Sequence, residues 1–256
     1  MIDRRLFLKL AGLTTLAAAA GKFNAFKAFA AGTHADKKTV PGTKQWAMAI
    51  DLDKCSKRKN CDLCFKACHV NHNVPTMKAK KEEIKWIWKE TFEHAFHGQE
   101  HEFINDKVKH YATPVLCNHC ESPACTKVCP TKATWKRRSD GIVMMDWHRC
   151  IGCRYCMAAC PYGSRSFNWR DPRKFVKKIT KEFPTRARGV VEKCTFCDME
   201  LAHDKQPFCV KACKYKALVF GDLNDPKSSI RKLLSSRFSM TRKPGAGTNP
   251  RVYYLI

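Results

Sequence analysis

The 256-residue sequence lacks any apolar run of the roughly 18 residues that a membrane span needs. The longest mildly apolar stretch, LAGLTTLAAAA at positions 10–20, has 11 residues. That length suits the apolar region of an export signal. We therefore expect any membrane association of the mature chain to need a partner, unless the signal is retained as an anchor.

Motifs for several kinds of chemistry are also absent. The sequence has no Walker-type phosphate loop, no G-x-G-x-x-G, no H-E-x-x-H and no nucleophile elbow. It has no C-x-x-C-H, the motif for covalent haem attachment. These absences favour a chain without substrate chemistry of its own.

Acidic residues are scarce: the sequence has 23 Asp and Glu but 48 Lys and Arg, which gives a formal charge of +25. Such an excess usually indicates nucleic acid or an anionic surface as partner. The two most basic stretches are KAKKEEIKWIWK and RKFVKKITKEFPTRAR. They could equally form solvated faces.

The N-terminal stretch DRRLFLKL predicts an export signal over residues 1–30. Arg4 and Arg5 precede Phe7, Leu8 and Lys9 in a pattern that resembles the twin-arginine signal. AFA at 28–30 is a small-x-small cleavage site. Since the twin-arginine route carries folded proteins, we expect an extracytoplasmic protein that is exported with its cofactors. An ordinary amphipathic N-terminal helix is the alternative.

Cysteine, in contrast, is abundant, and its sixteen residues fall into four groups of four. The groups are Cys55, Cys61, Cys64 and Cys68; Cys117, Cys120, Cys125 and Cys129; Cys150, Cys153, Cys156 and Cys160; and Cys194, Cys197, Cys209 and Cys213.

The third group is C-x2-C-x2-C-x3-C-P, the iron–sulfur run of bacterial ferredoxins. Three cysteines on a tight loop reach three corners of one cubane, while the fourth begins a helix that points away and ligates another cubane. The second and fourth groups keep the C-x2-C start and the C-x3-C end, with insertions between these pairs that a loop can absorb. Four such groups predict four [4Fe–4S] clusters.

Two other uses of the cysteines are weighed against this one. An even number of cysteines in an exported protein could form disulfides. C-x2-C pairs also suit tetrahedral zinc, as in a zinc-stabilised binding protein. Neither explains four repeats of one spacing with its C-x3-C ends.

Four stretches resemble the four-cluster electron-transfer subunits of membrane-bound oxidoreductases, such as dimethyl sulfoxide, polysulfide and thiosulfate reductases. They are CIGCRYCMAACPYGSRSFNW, VEKCTFCDMELAHDKQPFCVKAC, FGDLNDPKSSI and GTNPRVYYLI. The resemblance extends over residues 45–256. It implies a non-catalytic subunit that relays single electrons.

The resemblance also implies nested ligand sets, in which the first group pairs with the fourth and the second with the third. The four sets are Cys55, Cys61, Cys64 and Cys213; Cys194, Cys197, Cys209 and Cys68; Cys117, Cys120, Cys125 and Cys160; and Cys150, Cys153, Cys156 and Cys129. This sequence departs from the family in its five-residue first spacer. It also has His69 and Lys214 after the last cysteines of the outer groups, where the inner groups have Pro130 and Pro161.

Within the family, CDLCFKACHVNHNVP resembles most the exported iron–sulfur subunit DsrO of the DsrMKJOP complex. That resemblance implies a polytopic quinone-reactive membrane subunit and a multihaem cytochrome c as partners, in sulfur metabolism. Nucleic acid is not expected. A subunit of a hydrogenase, molybdopterin reductase or quinone reductase is the alternative within the class.

The implied fold is α+β, with two nested bacterial-type 2[4Fe–4S] ferredoxin-like modules, loop insertions and an extended C-terminal tail. The double domain extends over residues 45–225. Its inner module, about 110–170, is inserted into an outer module of 45–70 and 190–225. Residues 226–256 predict a helix, a Gly/Pro turn and the tail.

Local patterns add smaller predictions. TWKRRSDGIVMMD predicts a hairpin with Asp140 and Gly141 in its turn. IKWIWKETFE predicts a strand with Ile84, Trp86 and Trp88 on one face.

The histidines near these segments favour simple roles. His94, His97 and His101 could form a metal site, but no partner residue completes it and a polar loop is favoured. His69 and His72 flank Cys68 and are predicted to donate hydrogen bonds or face solvent rather than bind iron.

The clusters would reduce the apparent charge. The predicted signal holds five basic and one acidic residue, which leaves +21 for the remainder. Four oxidised cubanes of about −2 each would lower this to about +13. The rest could face anionic lipid headgroups or an acidic partner.

Overall fold

The computed structural model describes residues 43–57, 60–99 and 102–256. The predicted export signal, with Arg4, Arg5 and the cleavage site, lies outside these residues, as does His101.

Short helices and strands alternate along the described chain. The strands are β1 Trp46–Asp51, β2 Ile87–Glu90, β3 Thr113–Leu116, β4 Thr134–Lys136, β5 Val143–Met145, β6 Ser166–Phe167, β7 Val191–Glu192, β8 Leu218–Asp222, β9 Ser239–Met240 and β10 Val252–Leu255. The α-helices are α1 Leu52–Ser56, α2 Leu63–Asn71, α3 Phe92–Ala95, α4 Asp106–Lys109, α5 Ala124–Lys127, α6 Tyr155–Ala158, α7 Asp198–Leu201, α8 Phe208–Lys211 and α9 Ser229–Ser236. Single 3₁₀ turns lie at Lys80–Glu82, Pro172–Phe175 and Pro244–Ala246.

A four-stranded sheet of order β8-β1-β10-β9 forms the base of the fold. Strand β1 pairs antiparallel with β8 and parallel with β10. Both of its faces are buried, because side chains alternate across a strand and each face meets a different layer. Met48 and Ile50 pack into the main core with cysteines of the first, second and fourth groups, while Ala47 and Ala49 pack under α9.

Helix α9 covers the second face of this sheet. Its N-cap, Ser228, accepts a hydrogen bond from the Arg231 backbone at 3.4 Å, and Ile230 is fully buried on the sheet. A Cβ at Gly221 would lie 3.0 Å from Ile230 Cγ2. Gly221 therefore permits the close approach of α9 to β8.

Three two-stranded antiparallel ribbons, β2-β3, β4-β5 and β6-β7, complete the sheets of the described chain. The β4-β5 ribbon confirms the predicted hairpin. In its turn, Gly141 has φ of 74° and donates to the Arg137 carbonyl at 2.9 Å. The Asp140 carboxylate accepts from the Arg137 side chain at 2.6 Å and from the Ile142 backbone at 3.1 Å.

The strand predicted for IKWIWKETFE is shorter than its alternation indicates. Strand β2 begins at Ile87, so only Trp88 of the three predicted residues lies within it. Ile84 and Trp86 are buried as expected, but Ile87 is buried too. The prediction of one buried face is therefore wrong for this segment, because the segment packs against protein on both sides.

The C-terminal region contains the predicted helix, Gly/Pro turn and extended segment. The extended segment is not a separate tail, since β10 lies between β1 and β9 in the central sheet. Its sequence gave no sign of this pairing, because a parallel neighbour is about 200 residues away in the chain.

The fold is thus α+β, with most of its helices only one turn long. Across the described residues, none of the helices has the length and apolar composition required to span a bilayer.

Candidate iron–sulfur centre

The three C-x2-C loops of the second, third and fourth groups share one backbone feature. The residue before the second cysteine has a positive φ in each: 40° at His119, 71° at Gly152 and 57° at Phe196. A residue in this left-handed conformation turns the loop sharply, and the conformation costs free energy for any residue other than glycine. The same local turn therefore recurs in three loops that differ in sequence. Asn60, before the second cysteine of the first group, has a positive φ of 60° as well.

The last cysteine of these three groups follows a one-turn helix in every case, after α5, α6 and α8 respectively. Three residues later the chain again turns through a positive φ, at Lys132, Gly163 and Lys216. The first group differs, because Cys64 and Cys68 both lie on the continuous helix α2. Its corresponding turn is delayed to Asn73.

Site 1 comprises Cys55, Cys61, Cys64 and Cys213. Burial, followed by repulsion from Cys64, Cys213 and Cys61, raises the pKa of the Cys55 thiol to about 12. Burial and Cys213 likewise raise the pKa of Cys64 to about 11. Lys89 opposes both shifts, and the Ala217 backbone N–H donates to Cys213 Sγ at 3.3 Å.

Site 2 comprises Cys68, Cys194, Cys197 and Cys209, which line one small enclosed cavity. All four are buried. Burial raises the pKa of Cys68 and Cys209 well above the usual range, and repulsion from Cys194 and Cys197 adds to both rises. The Phe196 backbone N–H donates to Cys194 Sγ at 3.4 Å.

Site 3 comprises Cys117, Cys120, Cys125 and Cys160. Burial and then Cys117 raise the pKa of Cys120 to about 12, with smaller contributions from Cys125 and Cys160. The Arg165 guanidinium donates from Nη2 to Cys125 Sγ at 3.0 Å.

Site 4 comprises Cys129, Cys150, Cys153 and Cys156, which also line one small cavity. Among the described residues it is the only site with an exposed cysteine, Cys153, whereas the cysteines of the other sites are buried or partly buried. Partial burial would raise the pKa of Cys129, but backbone N–H groups from Thr134, Ala133 and Thr131 and the Thr131 hydroxyl lower it overall.

The sites follow one another in a row. Cys64 of site 1 is close enough to repel Cys68 and Cys209 of site 2. Cys117 of site 3 in turn repels Cys194 of site 2. Cys125 of site 3 repels Cys156 of site 4. The structure therefore brings the predicted residues together in the order 1-2-3-4.

The two histidines beside Cys68 have different surroundings. The His72 ring is buried, and its Nδ1 donates to the Cys68 carbonyl at 2.8 Å, which confirms the predicted hydrogen bond. Burial lowers the pKa of His72 to about 4. The half-buried His69 stacks against Phe65 with ring centroids 3.8 Å apart.

The predicted histidine cluster is not assembled among the described residues. His94 and His97 are exposed, and His94 Nδ1 lies 3.7 Å from Glu90 Oε2. Within the described part of the chain, no three His, Cys, Asp or Glu side chains converge closely enough to hold a single metal ion.

Buried charges between the sites were missed by sequence reasoning. Arg165 is 4% exposed, and the side chains of Arg186 and Glu192 form a fully buried ion pair at 2.6 Å. Lys193 is fully buried immediately before Cys194. In the sequence, only their position near the cysteine groups marked these residues. Basic residues are so common in this chain that this position does not distinguish them from the others.

The donor set fits [4Fe–4S] clusters. Four thiols facing one enclosed space are the ligands that a cubane takes. Buried thiolates are costly without a positive partner, as the raised thiol pKa values indicate, and iron supplies that charge. N–H donors to sulfur, such as those of Phe196 and Ala217, are the contacts that tune such clusters.

Comparison with known proteins points the same way. A protein family described as "4Fe-4S dicluster domain" matches residues 108–223. That range holds the second, third and fourth cysteine groups, while the first group lies outside it.

Three curated relatives are similar over most of the chain. An Hdr-like menaquinol oxidoreductase iron–sulfur subunit 1 of Archaeoglobus fulgidus is 39% identical over 275 residues, which cover 99% of this chain and 98% of that protein. The iron–sulfur cluster-binding subunit of menaquinone reductase of Nitratidesulfovibrio vulgaris is 36% identical, covering 82% and 88%. The iron–sulfur subunit of arsenate respiratory reductase of Shewanella sp. (strain ANA-3) is 36% identical, covering 81% and 94%.

Proposed function

The chain belongs to the family of iron–sulfur subunits of oxidoreductase complexes that carry a 4Fe-4S dicluster domain, and on that premise we propose that it is a four-cluster electron wire. The observation that carries the proposal is the row of four sites, each with four cysteines, from site 1 to site 4. A [4Fe–4S] cluster supplies one-electron transfer when bound. The chain would hold each cluster through thiolates, and its N–H donors and burial would set the reduction potential of that cluster.

Each of the four sites groups the cysteines that the family resemblance implies as one ligand set, and this supports our proposal of two nested ferredoxin-like modules. The last cysteine of each group then serves the partner group's site. Cys160→Ser should perturb the signal of site 3 and leave that of site 4 intact. Damage confined to site 4 would contradict the nesting.

Cofactor content is tested on anaerobically purified full-length protein. Four cubanes predict about sixteen iron and sixteen sulfide per chain. Stoichiometric zinc without visible charge-transfer absorption would contradict the proposal and favour the zinc-stabilised alternative.

We propose that a multihaem cytochrome c docks at the site 4 end. Large apolar side chains are exposed here, with Ile151 66%, Tyr155 62% and Trp169 44% accessible. The Arg154 guanidinium lies 4.7 Å from the Trp169 ring centroid. This surface combines an exposed cysteine with an apolar centre and a cation. It suits a partner on which acidic residues surround an exposed cofactor edge.

Docking is tested by electron transfer to a multihaem cytochrome c. Tyr155→Ala should slow this transfer without loss of iron. Ile179→Ser, which changes a 50% exposed apolar residue in the segment after Pro172–Phe175, is the matched control and should have no effect. Equal effects of both variants would reject this face.

We propose that the site 1 end faces a polytopic quinone-reactive membrane subunit. Lys54, Lys57, Lys66 and Lys89 are exposed on the elements that surround this site. A basic surface suits anionic headgroups or an acidic partner at the membrane. The names of two relatives, a menaquinol oxidoreductase subunit and a menaquinone reductase subunit, support a quinone-linked complex.

The finer proposal is a Dsr-type sulfur-metabolism complex on the extracytoplasmic face, based on the resemblance of CDLCFKACHVNHNVP. A pull-down from gently solubilised membranes tests it. Co-purification of a polytopic quinone-reactive protein with a c-type cytochrome supports it. A molybdopterin or nickel–iron catalytic subunit in their place would reject the Dsr-type assignment and keep the wire.

Export by the twin-arginine route is tested separately. Replacing Arg4 and Arg5 by Lys keeps the charge but removes the pattern. Cluster-loaded protein should then accumulate in the cytoplasm. Unchanged localisation would assign targeting to another signal or to a partner.

A further inference from the structure

Among the described residues, three buried cations have no carboxylate partner. Arg242 lies over the Tyr162 ring, 5.7 Å from its centroid, whereas the other two lie between the cysteine sites. Arg165 is 4% exposed and Lys193 is fully buried. A buried cation without a counter-charge is strongly destabilising, and such groups persist where an anion lies nearby. Arg186, equally buried, has that partner in Glu192 at 2.6 Å.

Arg165 lies between sites 3 and 4. Its Nη2 donates to Cys125 Sγ of site 3 at 3.0 Å and to Thr134 Oγ1 at 2.8 Å. On the other side, burial raises the pKa of Cys156 of site 4, and the Arg165 guanidinium is the group that most opposes this rise. One guanidinium therefore faces the thiols of both sites.

Lys193 lies between sites 2 and 3. Its Nζ donates to the Cys194 carbonyl at 2.7 Å and to the Val143 carbonyl. The Val143 backbone N–H donates to Nδ1 of His119, which precedes Cys120 of site 3, at 3.1 Å. Lys193 thus adjoins a cysteine of site 2 and the loop that carries a cysteine of site 3.

We propose that Arg165 and Lys193 are potential-setting residues whose combined charge raises the reduction potential at site 3. The inference rests on the proposed four-cluster function. Reduction adds one negative charge to a cluster, and a fixed cation in a dry interior stabilises that charge. Each cation acts on the two sites that it separates, and site 3 is the one that both share.

The test is a potentiometric titration of cluster-loaded protein followed by electron paramagnetic resonance. The signals of sites 1, 3 and 4 are assigned beforehand with a Cys→Ser variant of each site, and the remaining signal is assigned to site 2. Arg165→Gln should lower the potentials of sites 3 and 4, and Lys193→Met those of sites 2 and 3. We expect at least a tenfold fall in the reduced-to-oxidised ratio at a fixed potential, which is about 59 mV for a one-electron couple.

Two controls separate charge from structure. Site 1 should keep its potential in both variants. Arg149→Gln removes a cation whose side chain is 68% exposed next to site 4, and it should shift that site much less because water screens the charge. Arg165→Lys keeps the cation and should therefore show only a small part of the shift seen in Arg165→Gln.

Several outcomes would overturn the inference. They are unchanged potentials in both neutral variants, equal shifts at all four sites, and a shift in Arg165→Lys as large as in Arg165→Gln. If Arg165→Gln loads no clusters, Arg165→Lys decides, because its failure to load would assign Arg165 a purely structural role. Iron analysis of the unaltered protein keeps these outcomes distinct from failure of the proposed function, which would leave fewer than four clusters.

Discussion

Site 2 and site 4 have the same four-cysteine composition but opposite surroundings. The site 2 cysteines are 5–7% exposed, and three of them pack into the main core. At site 4 only Cys156 is buried, and Cys153 is exposed. Burial raises the pKa of Cys68 at site 2, whereas backbone N–H donors outweigh partial burial and lower that of Cys129 at site 4.

This difference separates two roles within one row of sites. The site 2 cysteines are shielded from solvent, so in the proposed wire this site would exchange electrons only with the neighbouring sites 1 and 3. Site 4 combines an exposed cysteine with exposed apolar side chains, Ile151 and Tyr155, as a contact for another protein requires. Site 2 is thus also part of the core, whereas site 4 lies at an edge of the molecule.

The largest effect is expected from removing one ligand at each site. Cys68→Ser should abolish stable folding, because the cluster proposed for site 2 would lie in the main core, where three of its cysteines pack. Cys153→Ser should remove roughly a quarter of the iron while the rest of the chain stays folded. Iron content and thermal unfolding of the purified variants measure both.

Equal loss of fold in the two variants would break this contrast. It would mean that site 4 supports the fold as strongly as site 2 does. A Cys68→Ser protein that keeps three clusters and its thermal stability would contradict the core role of site 2.

A smaller effect is expected from Gly152 in the site 4 loop. A Cβ at this residue would lie 2.3 Å from the Gly189 carbonyl oxygen, and its φ is 71°. Overpacking and left-handed strain together predict a loss of about 3 kcal/mol for Gly152→Ala. Gly163→Ala, with φ of 63° and open space around the Cβ, should cost only about 1 kcal/mol.

Denaturant unfolding with iron analysis distinguishes the two alanine variants. Gly152→Ala should lose iron from site 4 first, since Gly152 is part of the loop between Cys150 and Cys153. Equal costs for the two variants would mean that the Gly152 loop relaxes away from Gly189.

Sequence reasoning performs best where a single local rule decides the structure. The cysteine spacings predicted which three cysteines each loop brings to one site, because ligand geometry constrains short loops. The fourth cysteine of each site followed only from the family resemblance. The Asp140-Gly141 turn was predictable for the same reason. Strand β10 was not predictable as a sheet strand, because its parallel pairing with β1 depends on a contact about 200 residues away.

The polar groups between the sites could not be predicted. Arg165 reaches Cys125 across 40 residues, and the Arg186–Glu192 pair joins the loop before β7 to β7 itself. In the sequence, each is one basic residue among 48. Only the packed structure indicates which of them lack a counter-charge.

The pH dependence of cluster loading should also differ between the two sites. Ligation requires thiolates, so loading releases the protons that the free thiols hold. Burial raises the pKa of Cys194 to about 12, so loading at site 2 should strengthen with rising pH from 7 past 9, by up to about tenfold per pH unit per proton. Because the pKa of Cys129 is lowered, cluster loading at site 4 should stop increasing at a lower pH than loading at site 2. Anaerobic reconstitution between pH 7 and 10, with the sites distinguished by paramagnetic resonance, measures both, and parallel slopes would contradict the difference.

The smallest expected effect concerns one hydroxyl at site 4. Thr131 Oγ1 lies 3.7 Å from Cys129 Sγ, and toward a ligating thiolate it can only donate. Thr131→Val removes this long contact and should lower the reduction potential of site 4 by less than the equivalent of about 1 kcal/mol, without a change at site 2. Thr126→Val is the matched control, because the Thr126 hydroxyl donates to the Pro123 carbonyl at 2.9 Å. Redox titration of both variants measures the reduction potential of site 4. An equally large shift in Thr126→Val would mean that backbone adjustment, and not a hydrogen-bond donor to sulfur, sets that potential.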